Sequence, residues 1–367
     1  MGISGRVSRR DELPTPALVL DVDALDRNIG AMIARTAAMG VALRPHAKAH
    51  KCVEVAQRLY RAGAVGACCA TIAEAEAMAR GGLPGILLTS CLVTPDSIER
   101  LSRLVASGAD ISAVVDSALG VDLLGQAAEN AGRRIGVLVD IDVGVGRAGC
   151  VEIADIVALA QRIRDIPQLE YRGVQAYWGN LQQVMPFAER RSRVEVQAER
   201  LRSILAVLRE AGLAPEIVSG SGTGTHAIDG RLGLFTEIQA GSFLFLDSCY
   251  GSVPTSDGEA AFEPSLYVAA SVTTATRPGR VIVNAGLKAF ATDNGKPMPM
   301  RGAPAGAAYR FMGDEHGALD FDGATPPLGA TIEFLTSHCD PTVNLHSAYH
   351  VVSGESVVDV WPVVGRY

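Results

Sequence analysis

Hydrophobic residues follow two alternating patterns along the first two-thirds of the chain. Short runs of consecutive apolar residues are separated by longer segments in which apolar residues recur every three to four positions. The short runs predict strands buried on both faces, and the longer period predicts amphipathic helices. The predicted strands are 41–46, 65–70, 85–89, 110–116, 135–142, 172–178, 216–219 and 242–247. The predicted helices include 23–39, 51–62, 72–80, 95–107, 151–164 and 190–211. Eight strands separated by helices favour a parallel sheet closed into a (β/α)₈ barrel.

The pattern changes near Gly251, where long helical periods end. Alternating runs rich in β-branched residues follow, at 265–274, 280–285, 331–335, 348–352 and 356–360. This alternation predicts a mainly antiparallel β domain. We therefore expect a barrel at 22–250 and a β domain at 251–367. The short apolar run 17–21 is compatible with either part, and we group residues 13–21 with the β domain.

Charge and cysteine content narrow the class of protein. The chain has 367 residues, and its 33 Lys and Arg against 40 Asp and Glu give a net charge of −7. An acidic balance argues against a nucleic-acid or anionic-membrane surface. No apolar run approaches the roughly 20 residues that span a bilayer, and the first residues lack a secretory pattern. The seven cysteines show no CxxC pair, which is typical of reduced thiols. These features predict a cytoplasmic enzyme.

Lys48 lies in the segment LRPHAKAHK, just beyond the predicted strand 41–46. Barrel enzymes carry their reactive groups at the carboxyl ends of the strands. A lysine at this rim among apolar neighbours can form a Schiff base. The spacing alone is equally compatible with an ordinary solvated loop.

The segment VSGSGTGTH follows the seventh predicted strand. Backbone N–H groups in such a glycine-rich turn can bind phosphate, and barrels commonly place phosphate after strands 7–8. The segment has no GKS or GKT, which excludes a P-loop. No GxGxxG opens the first βαβ unit, so a dinucleotide site is not supported.

Arg147 follows the fifth predicted strand, in DIDVGVGRAG, and Tyr177 lies at the end of the sixth, in GVQAYWGNLQQV. An arginine at a barrel mouth can hold an oxyanion, and a tyrosine there can stack on a planar ligand. A surface arginine and a tyrosine that packs at the rim remain alternatives. Asp140 and Asp142 alternate along a buried strand, so one of them must point inward, where it could pair with Arg147 or Lys48.

His338 and Asp340 lie two residues apart in SHCDPTVN, within the predicted β domain. In an extended loop both side chains can converge on one cation, and imidazole with carboxylate suits Mn²⁺, Zn²⁺ or Mg²⁺. A Cys339 thiolate would instead favour Zn²⁺. A hydrogen-bonded His–Asp pair without a metal is the alternative. The upstream segment GDEHG could support the site or form a solvated turn.

Taken in order, these segments resemble one family. The segments LRPHAKAHK, DIDVGVGRAG, GVQAYWGN, VSGSGTGT and HCDPTVN are similar to those of the D-threonine aldolase/D-serine dehydratase group of fold-type III pyridoxal-phosphate enzymes, which is related to alanine racemase. The resemblance runs from about residue 13 to residue 361. It implies a (β/α)₈ barrel followed by a β domain, with pyridoxal 5′-phosphate as the cofactor.

The resemblance also implies roles for individual residues. Lys48 matches the lysine that forms a Schiff base with the cofactor, Arg147 the arginine at the pyridoxal 3′-oxygen, and Tyr177 the tyrosine near the pyridine ring. The residues that match the phosphate cradle are Ser219, Gly222, Thr223 and Gly224. His338 and Asp340 match the divalent-metal pair of the D-threonine aldolases.

Within the family, the metal motif favours one reaction. D-Serine dehydratases tend to show His-x-Cys with zinc, whereas Asp340 occupies the third place here. The expected metal is therefore Mn²⁺, with Mg²⁺, Co²⁺ or Zn²⁺ as alternatives. Gln183 occupies a place where some aldolases have a histidine, and a neutral amide cannot take the substrate's hydroxyl proton.

The resemblance thus implies cleavage of D-β-hydroxy-α-amino acids to glycine and an aldehyde. The alternative is a D-serine or D-3-hydroxyaspartate dehydratase, which would yield a 2-oxo acid and ammonia. A non-catalytic pyridoxal-phosphate carrier resembles the lone barrel, and the β domain argues against it. A homodimer is expected, as in similar alanine-racemase-like enzymes.

Overall fold

A computed structural model describes residues 9–254 and 262–366. Its helices are α1 (Val22–Met39), α2 (Val53–Ala62), α3 (Ile72–Arg80), α4 (Pro95–Ala106), α5 (Ala118–Ala131), α6 (Ile153–Asp165), α7 (Phe187–Glu210), α8 (His226–Asp229), α9 (Ser248–Gly251) and α10 (Cys339–Leu345). Its strands are β1 (Ala17–Asp21), β2 (Ala42–Leu43), β3 (Ala67–Cys69), β4 (Ile86–Leu88), β5 (Ile111–Val115), β6 (Ile135–Ile141), β7 (Leu169–Ala176), β8 (Ile217–Gly220), β9 (Glu237–Ile238), β10 (Leu266–Arg277), β11 (Arg280–Val283), β12 (Met298–Pro299), β13 (Ala308–Phe311), β14 (Gly317–Asp320), β15 (Thr331–Leu335), β16 (Ala348–Ser353) and β17 (Ser356–Pro362). Short 3₁₀ turns lie at Arg10–Glu12, Ala47–Ala49, Gly179–Leu181 and Ser242–Leu244.

Strands β2 to β9 form the barrel. They are parallel, in the order β2-β9-β8-β7-β6-β5-β4-β3. The two ends of this order meet, because His46 forms a parallel bridge to Cys68 and the Val65 N–H donates to the Leu43 carbonyl at 2.9 Å. The sheet therefore closes on itself, and the carboxyl ends of all eight strands share one rim. The predicted barrel is confirmed.

The eighth strand differs from the prediction. It is β9, whereas the predicted strand 242–247 begins with the 3₁₀ turn Ser242–Leu244 and has Leu246 at a φ of 46°. Phe243 is fully buried, so the apolar run reflects burial and not strand geometry. In β9 a buried carboxylate, Glu237, pairs with Arg44, and this polar residue hides the strand from a hydrophobic pattern.

The C-terminal part forms a second, mainly antiparallel sheet, as predicted. Its strand order is β13-β14-β11-β10-β1-β16-β17, with β15 paired to both β10 and β12. β1 pairs antiparallel with β10 and parallel with β16, so the N-terminal strand lies inside this sheet. The segment after β15 is the helix α10, where an extended loop was expected.

Two large hydrophobic clusters hold these parts together. One fills the spaces between the barrel strands and their outer helices. The other joins the β domain to the start of the barrel, since Leu25 of α1, Phe243 and Phe334 of β15 belong to the same buried cluster. The barrel rim is thereby held against α10. Among the described residues, no helix is long and apolar enough to cross a bilayer.

Candidate active site

Lys48 lies at the carboxyl end of β2, in the 3₁₀ turn Ala47–Ala49. The turn begins at His46, whose Nδ1 accepts a hydrogen bond from the Lys48 N–H at 3.5 Å. The Lys48 side chain is 43% exposed and opens into a cleft of about 420 Å³. Its amine is therefore accessible to a small molecule at the barrel rim.

Asp340 and His338 reach the same cleft from the β domain. Asp340 Oδ2 lies 3.8 Å from Lys48 Nζ. Asp340 Oδ1 is buried and has no hydrogen-bond partner among the described residues. His338 Nδ1 lies 2.5 Å from Asp293 Oδ2, which leaves the other ring nitrogen for a ligand. Sequence reasoning missed Asp293, which lies on a turn far from the motif.

The His338/Asp340 pair has the chemistry of a partial metal site. A buried carboxylate oxygen without a donor, beside an imidazole held by a second carboxylate, fits an oxygen- and nitrogen-preferring divalent cation. Within 9–254 and 262–366, no group of three or more His, Cys, Asp or Glu converges, so the protein would leave coordination positions open. Cys339 does not contribute: it is fully buried, and its N–H donates to Asp247 Oδ2 at 2.8 Å.

The turn after β8 supplies the anion-binding part of the cleft. Ser221, Gly222 and Thr223 line the cleft, and Ser221 adopts a left-handed φ of 70°. Ser221 Oγ is buried without a hydrogen-bond partner among the described residues. A Cβ on Gly222 would lie 2.5 Å from Gln182 Oε1, so only glycine leaves this turn intact. These features fit a bound phosphate.

Two residues expected in the phosphate cradle lie elsewhere. Ser219 is in the barrel interior, where its Oγ lies 2.6 Å from Glu237 Oε1. Gly224 donates its N–H to Gln182 Oε1 at 3.0 Å and so supports the turn from behind. The structure brings neither residue to the cleft wall, and it places Ser221 there instead.

Arg147 and Tyr177 form the wall beside Lys48. The Arg147 guanidinium carbon lies 5.7 Å from the centre of the Tyr177 ring, and both residues line the cleft. Asp142 shapes the loop that carries Arg147, since its Oδ1 accepts N–H groups of Gly144 at 2.8 Å and Val145 at 2.9 Å. The ion pair expected between Arg147 and an inward-pointing aspartate does not form among the described residues.

A buried polar network forms the floor of the cleft. Asp140 is the inward aspartate, and its Oδ1 accepts a hydrogen bond from Gln175 Nε2 at 2.9 Å. Burial raises the pKa of Asp140 to about 6. Gln239 and Thr89 complete the network and line the cleft. Sequence reasoning missed Thr89, Gln175 and Gln239, because buried polar side chains at the ends of strands carry no motif.

His46 is part of the same floor and is neutral. Burial, together with the nearby Lys48, holds the pKa of the His46 imidazole well below its usual value. Its Nε2 lies 3.1 Å from Thr89 Oγ1, whose own hydrogen points to the Cys69 carbonyl. Nε2 is therefore the protonated nitrogen, and His46 holds the Lys48 turn without carrying charge.

Family profiles match both parts of the chain. The alanine racemase N-terminal domain matches residues 20–249, and a putative serine dehydratase domain matches residues 265–352. A D-threonine aldolase of an Arthrobacter species is 42% identical over 96% of this chain and 92% of its own length. The chain belongs to the alanine-racemase-like D-threonine aldolase/D-serine dehydratase family.

Other members of the family extend the comparison. A 3-hydroxy-D-aspartate aldolase of Paracoccus denitrificans (strain Pd 1222) is 36% identical over 97% of this chain and 92% of its own length. The crystal structure of a D-threonine aldolase from Filomicrobium marinum superposes with a TM-score of 0.94 at 36% identity, covering 98% of each chain. A D-threo-3-hydroxyaspartate dehydratase from Delftia sp. HT23 gives a TM-score of 0.83 at 29% identity, covering 95% of this chain and 97% of its own. The family predicted from the motifs is thereby confirmed.

Proposed function

We propose that this chain is a lyase that cleaves D-β-hydroxy-α-amino acids to glycine and an aldehyde, with pyridoxal 5′-phosphate and a divalent cation. One observation carries the proposal: Lys48 Nζ and Asp340 Oδ2 face each other at 3.8 Å across one cleft. A reactive amine from the barrel and a carboxylate–imidazole pair from the β domain thus act on the same small molecule. The aldolase relatives, at 36–42% identity, support the carbon–carbon lyase class.

Four groups of residues would hold the cofactor. Lys48 would bind its aldehyde carbon, Arg147 its 3′-oxygen, and Tyr177 its ring. The turn Ser221, Gly222 and Thr223 would hold the phosphate. When bound, pyridoxal phosphate supplies an electron sink for the pair of electrons released at the substrate's Cα.

His338 and Asp340 would hold the cation, and we expect Mn²⁺ to serve best. A bound divalent cation supplies Lewis-acid chemistry that lowers the pKa of the substrate's β-hydroxyl group. Asp293 would keep the His338 ring in the orientation that presents its free nitrogen to the ion. The two-residue set leaves room for the hydroxyl group beside the ion.

The remaining steps are proton transfers at stated atoms. Asp340 Oδ1, which is buried without a donor, would ligate the cation, so the other oxygen, Oδ2, which lies 3.8 Å from Lys48 Nζ, is the one that can take the proton from the β-hydroxyl group. Gln183 also lines the cleft, but its neutral amide cannot act as a base. Burial raises the pKa of Tyr177 and of Tyr250, so both phenols stay protonated. The Lys48 amine, once released, can return a proton to Cα on its own side of the cleft.

The charges in the cleft favour neutral side chains on the substrate. Among the described lining residues the permanent cations are Lys48 and Arg147, and both have roles toward the cofactor or the amino acid. Apart from the proposed cation, a second carboxylate on Cβ would find no further cationic side chain to pair with among the described lining residues. We therefore expect D-threonine-type substrates to be cleaved faster than D-3-hydroxyaspartate.

Elimination is the alternative reaction at the same residues. Lys48 would then remove the Cα proton, and hydroxide would leave from Cβ. The product separates the two reactions: an aldolase releases glycine and an aldehyde, whereas a dehydratase releases ammonia and a 2-oxo acid.

The deciding experiment measures both product pairs. The purified protein, loaded with pyridoxal phosphate and Mn²⁺, is given D-threonine, D-serine and D-3-hydroxyaspartate, with L-threonine as the stereochemical control. Glycine and acetaldehyde from D-threonine, absent with Lys48→Ala, would support the proposal. Ammonia and a 2-oxo acid without glycine would establish the dehydratase instead.

We further propose that the protein is a homodimer in which the β domain of one subunit helps to enclose the other subunit's cleft. The family resemblance motivates this proposal. Sedimentation at assay concentration tests it, and a fully active monomer would exclude it.

A further inference from the structure

Gln239 follows β9 directly and lies on the floor of the cleft. Its side chain is part of the buried polar network. Gln239 Nε2 lies 3.1 Å from Gln175 Oε1 and 2.9 Å from Ser219 Oγ. The neighbours on both sides determine which end of the Gln239 amide remains available to a ligand.

On one side the hydrogen bonds run toward a carboxylate. Ser219 Oγ lies 2.6 Å from Glu237 Oε1, and the two oxygens of Glu237 accept hydrogen bonds from Arg44 at 2.8 Å each. A carboxylate paired with arginine only accepts. Ser219 therefore donates its hydrogen to Glu237 and accepts one from Gln239.

On the other side they run toward a main-chain carbonyl. Gln175 Nε2 lies 3.1 Å from the carbonyl oxygen of Thr89 and 2.9 Å from Asp140 Oδ1. Because a carbonyl cannot donate, the NH₂ end of Gln175 must face Thr89, and its Oε1 faces Gln239. Both hydrogens of the Gln239 amide are thus donated to the protein, and no donor among the described residues reaches its Oε1.

We propose that Gln239 Oε1 accepts a hydrogen bond from the ring nitrogen of pyridoxal phosphate and holds that nitrogen in its protonated form. The cofactor's phosphate and 3′-oxygen both require donors. The ring nitrogen is the polar position that can offer a hydrogen to an acceptor. This inference rests on the proposed function for the identity of the cofactor.

Asp340 is the one carboxylate among the described residues that line the cleft, and it lies at the Lys48 end. It lies 3.8 Å from Lys48 Nζ. The carbon that Lys48 bonds is para to the ring nitrogen, so a group beside Lys48 lies at the opposite end of the ring. Asp340 therefore does not compete with Gln239 for the ring nitrogen.

The network behind Gln239 strengthens this acceptor. Asp140 places a carboxylate beyond Gln175, and the Glu237 carboxylate lies beyond Ser219. Chains of hydrogen bonds that run toward a negative charge polarise each member, which raises the electron density on Gln239 Oε1. A protonated ring nitrogen makes the cofactor a stronger electron acceptor for the cleavage step.

Nitrogen NMR tests the protonation state directly. The holoenzyme is prepared with pyridoxal phosphate labelled with ¹⁵N in the ring, without substrate. We expect the chemical shift of a protonated nitrogen in the wild type and in Gln239→Glu, and that of an unprotonated nitrogen in Gln239→Met. The same change at a second buried glutamine, Gln182→Met, loosens the phosphate turn and should leave the ring-nitrogen shift in place. An unprotonated nitrogen in the wild type, or a protonated one in folded Gln239→Met, would overturn the proposal.

Cofactor affinity gives a second readout that needs no turnover. The apoprotein is titrated with pyridoxal phosphate and with an analogue in which CH replaces the ring nitrogen. A hydrogen bond to a charged group predicts that the wild type prefers pyridoxal phosphate by about 10- to 100-fold, and that Gln239→Met loses this preference. An equal preference in both proteins would contradict the inference. If the enzyme proves to be a dehydratase, both readouts still decide the role of Gln239, whereas an apoprotein that binds no pyridoxal phosphate refutes the proposed function and this inference together.

Discussion

Asp340 Oδ2 lies 3.8 Å from Lys48 Nζ, although the two residues belong to different parts of the fold. Lys48 lies in the turn after β2 of the barrel, and Asp340 lies in the first turn of α10 in the β domain. The shared hydrophobic cluster around Leu25 and Phe334 keeps these two parts in register. The proposed cofactor site and the proposed metal site can therefore be disabled separately, and this separation makes each of them testable.

Replacing Lys48 should remove the cofactor linkage. We expect Lys48→Ala to lose the visible absorbance of lysine-bound pyridoxal phosphate and at least about 10²–10⁴-fold of its activity, because the same amine also transfers protons. The exposed Lys288, which pairs with Glu315, provides the matched control, and Lys288→Ala should keep both properties. A borohydride-reducible chromophore that survives in Lys48→Ala would instead show that a different lysine holds the cofactor.

Removing Asp293 should weaken metal binding without abolishing it. Its carboxylate holds His338 Nδ1 at 2.5 Å, and partners of this kind typically contribute 10- to 100-fold to metal affinity. We expect Asp293→Ala to raise the dissociation constant for Mn²⁺ by about that factor, as measured by calorimetric titration of the metal-free enzyme. The saturated variant should recover most of its kcat. An unchanged affinity would show that Asp293 does not position the histidine.

The sequence predicts the residues that face the ligand better than the residues that support them. Lys48, Arg147, Tyr177, His338 and Asp340 all line one cleft, because each lies on a short motif at the end of a strand or the start of a helix. The same motifs could not show which of the two serines, Ser219 or Ser221, lines the proposed phosphate site. The choice depends on where β8 ends and on the left-handed backbone of Ser221, and neither follows from composition.

The supporting residues could not be predicted, for physical reasons. Gln175 is a buried amide on β7 and Gln239 is a buried amide just after β9, and their role depends on hydrogen-bond partners that are distant in sequence. The eighth strand was misplaced because its buried Glu237 interrupts the apolar pattern, whereas the apolar run after it packs as a 3₁₀ turn. Long-range pairing decides such positions, and a local hydrophobic pattern does not record it.

Asp140 should make stability depend on pH. Burial raises its pKa to about 6 from an ordinary 3.8, so the folded protein holds a proton there that the unfolded chain releases. Stability should therefore fall as pH rises from about 4 to about 6, by up to about 3 kcal/mol from this group. Asp140→Asn removes this cost and keeps the acceptor for Gln175. We expect the free energy of unfolding of Asp140→Asn, measured with urea, to increase relative to that of the wild type as pH rises over this range.

Asp142 provides a control of the opposite sign. Burial acts to raise its pKa, but N–H groups of Gly146, Gly144 and Val145 outweigh burial and hold the pKa below its usual value. A lowered pKa contributes stability above the unfolded value, which is lost as pH falls. Asp142→Asn should therefore be destabilising at neutral pH and less so in acid. The same pH trend in both variants would show that neither carboxylate behaves as its surroundings predict.

The last prediction distinguishes the two proposed metal ligands, His338 and Asp340, from the Cys339 thiol that lies between them in the sequence. Dialysis against EDTA should remove the ion and the activity, and Mn²⁺ should restore activity at least as well as Mg²⁺, because the imidazole–carboxylate set tolerates it. His338→Ala and Asp340→Ala should each lose metal-dependent turnover and keep the visible absorbance at Lys48, since the two sites lie on different parts of the fold. Cys339 is fully buried, its N–H is bonded to Asp247, and it is not among the described residues that line the cleft, so its thiol does not face the proposed ion. Cys339→Ser should therefore retain its metal content, measured by atomic emission, at the cost of about 1–3 kcal/mol for the buried hydroxyl group. Loss of a stoichiometric zinc ion from Cys339→Ser, with Asp340→Ala unaffected, would assign the ligands differently and favour the dehydratase.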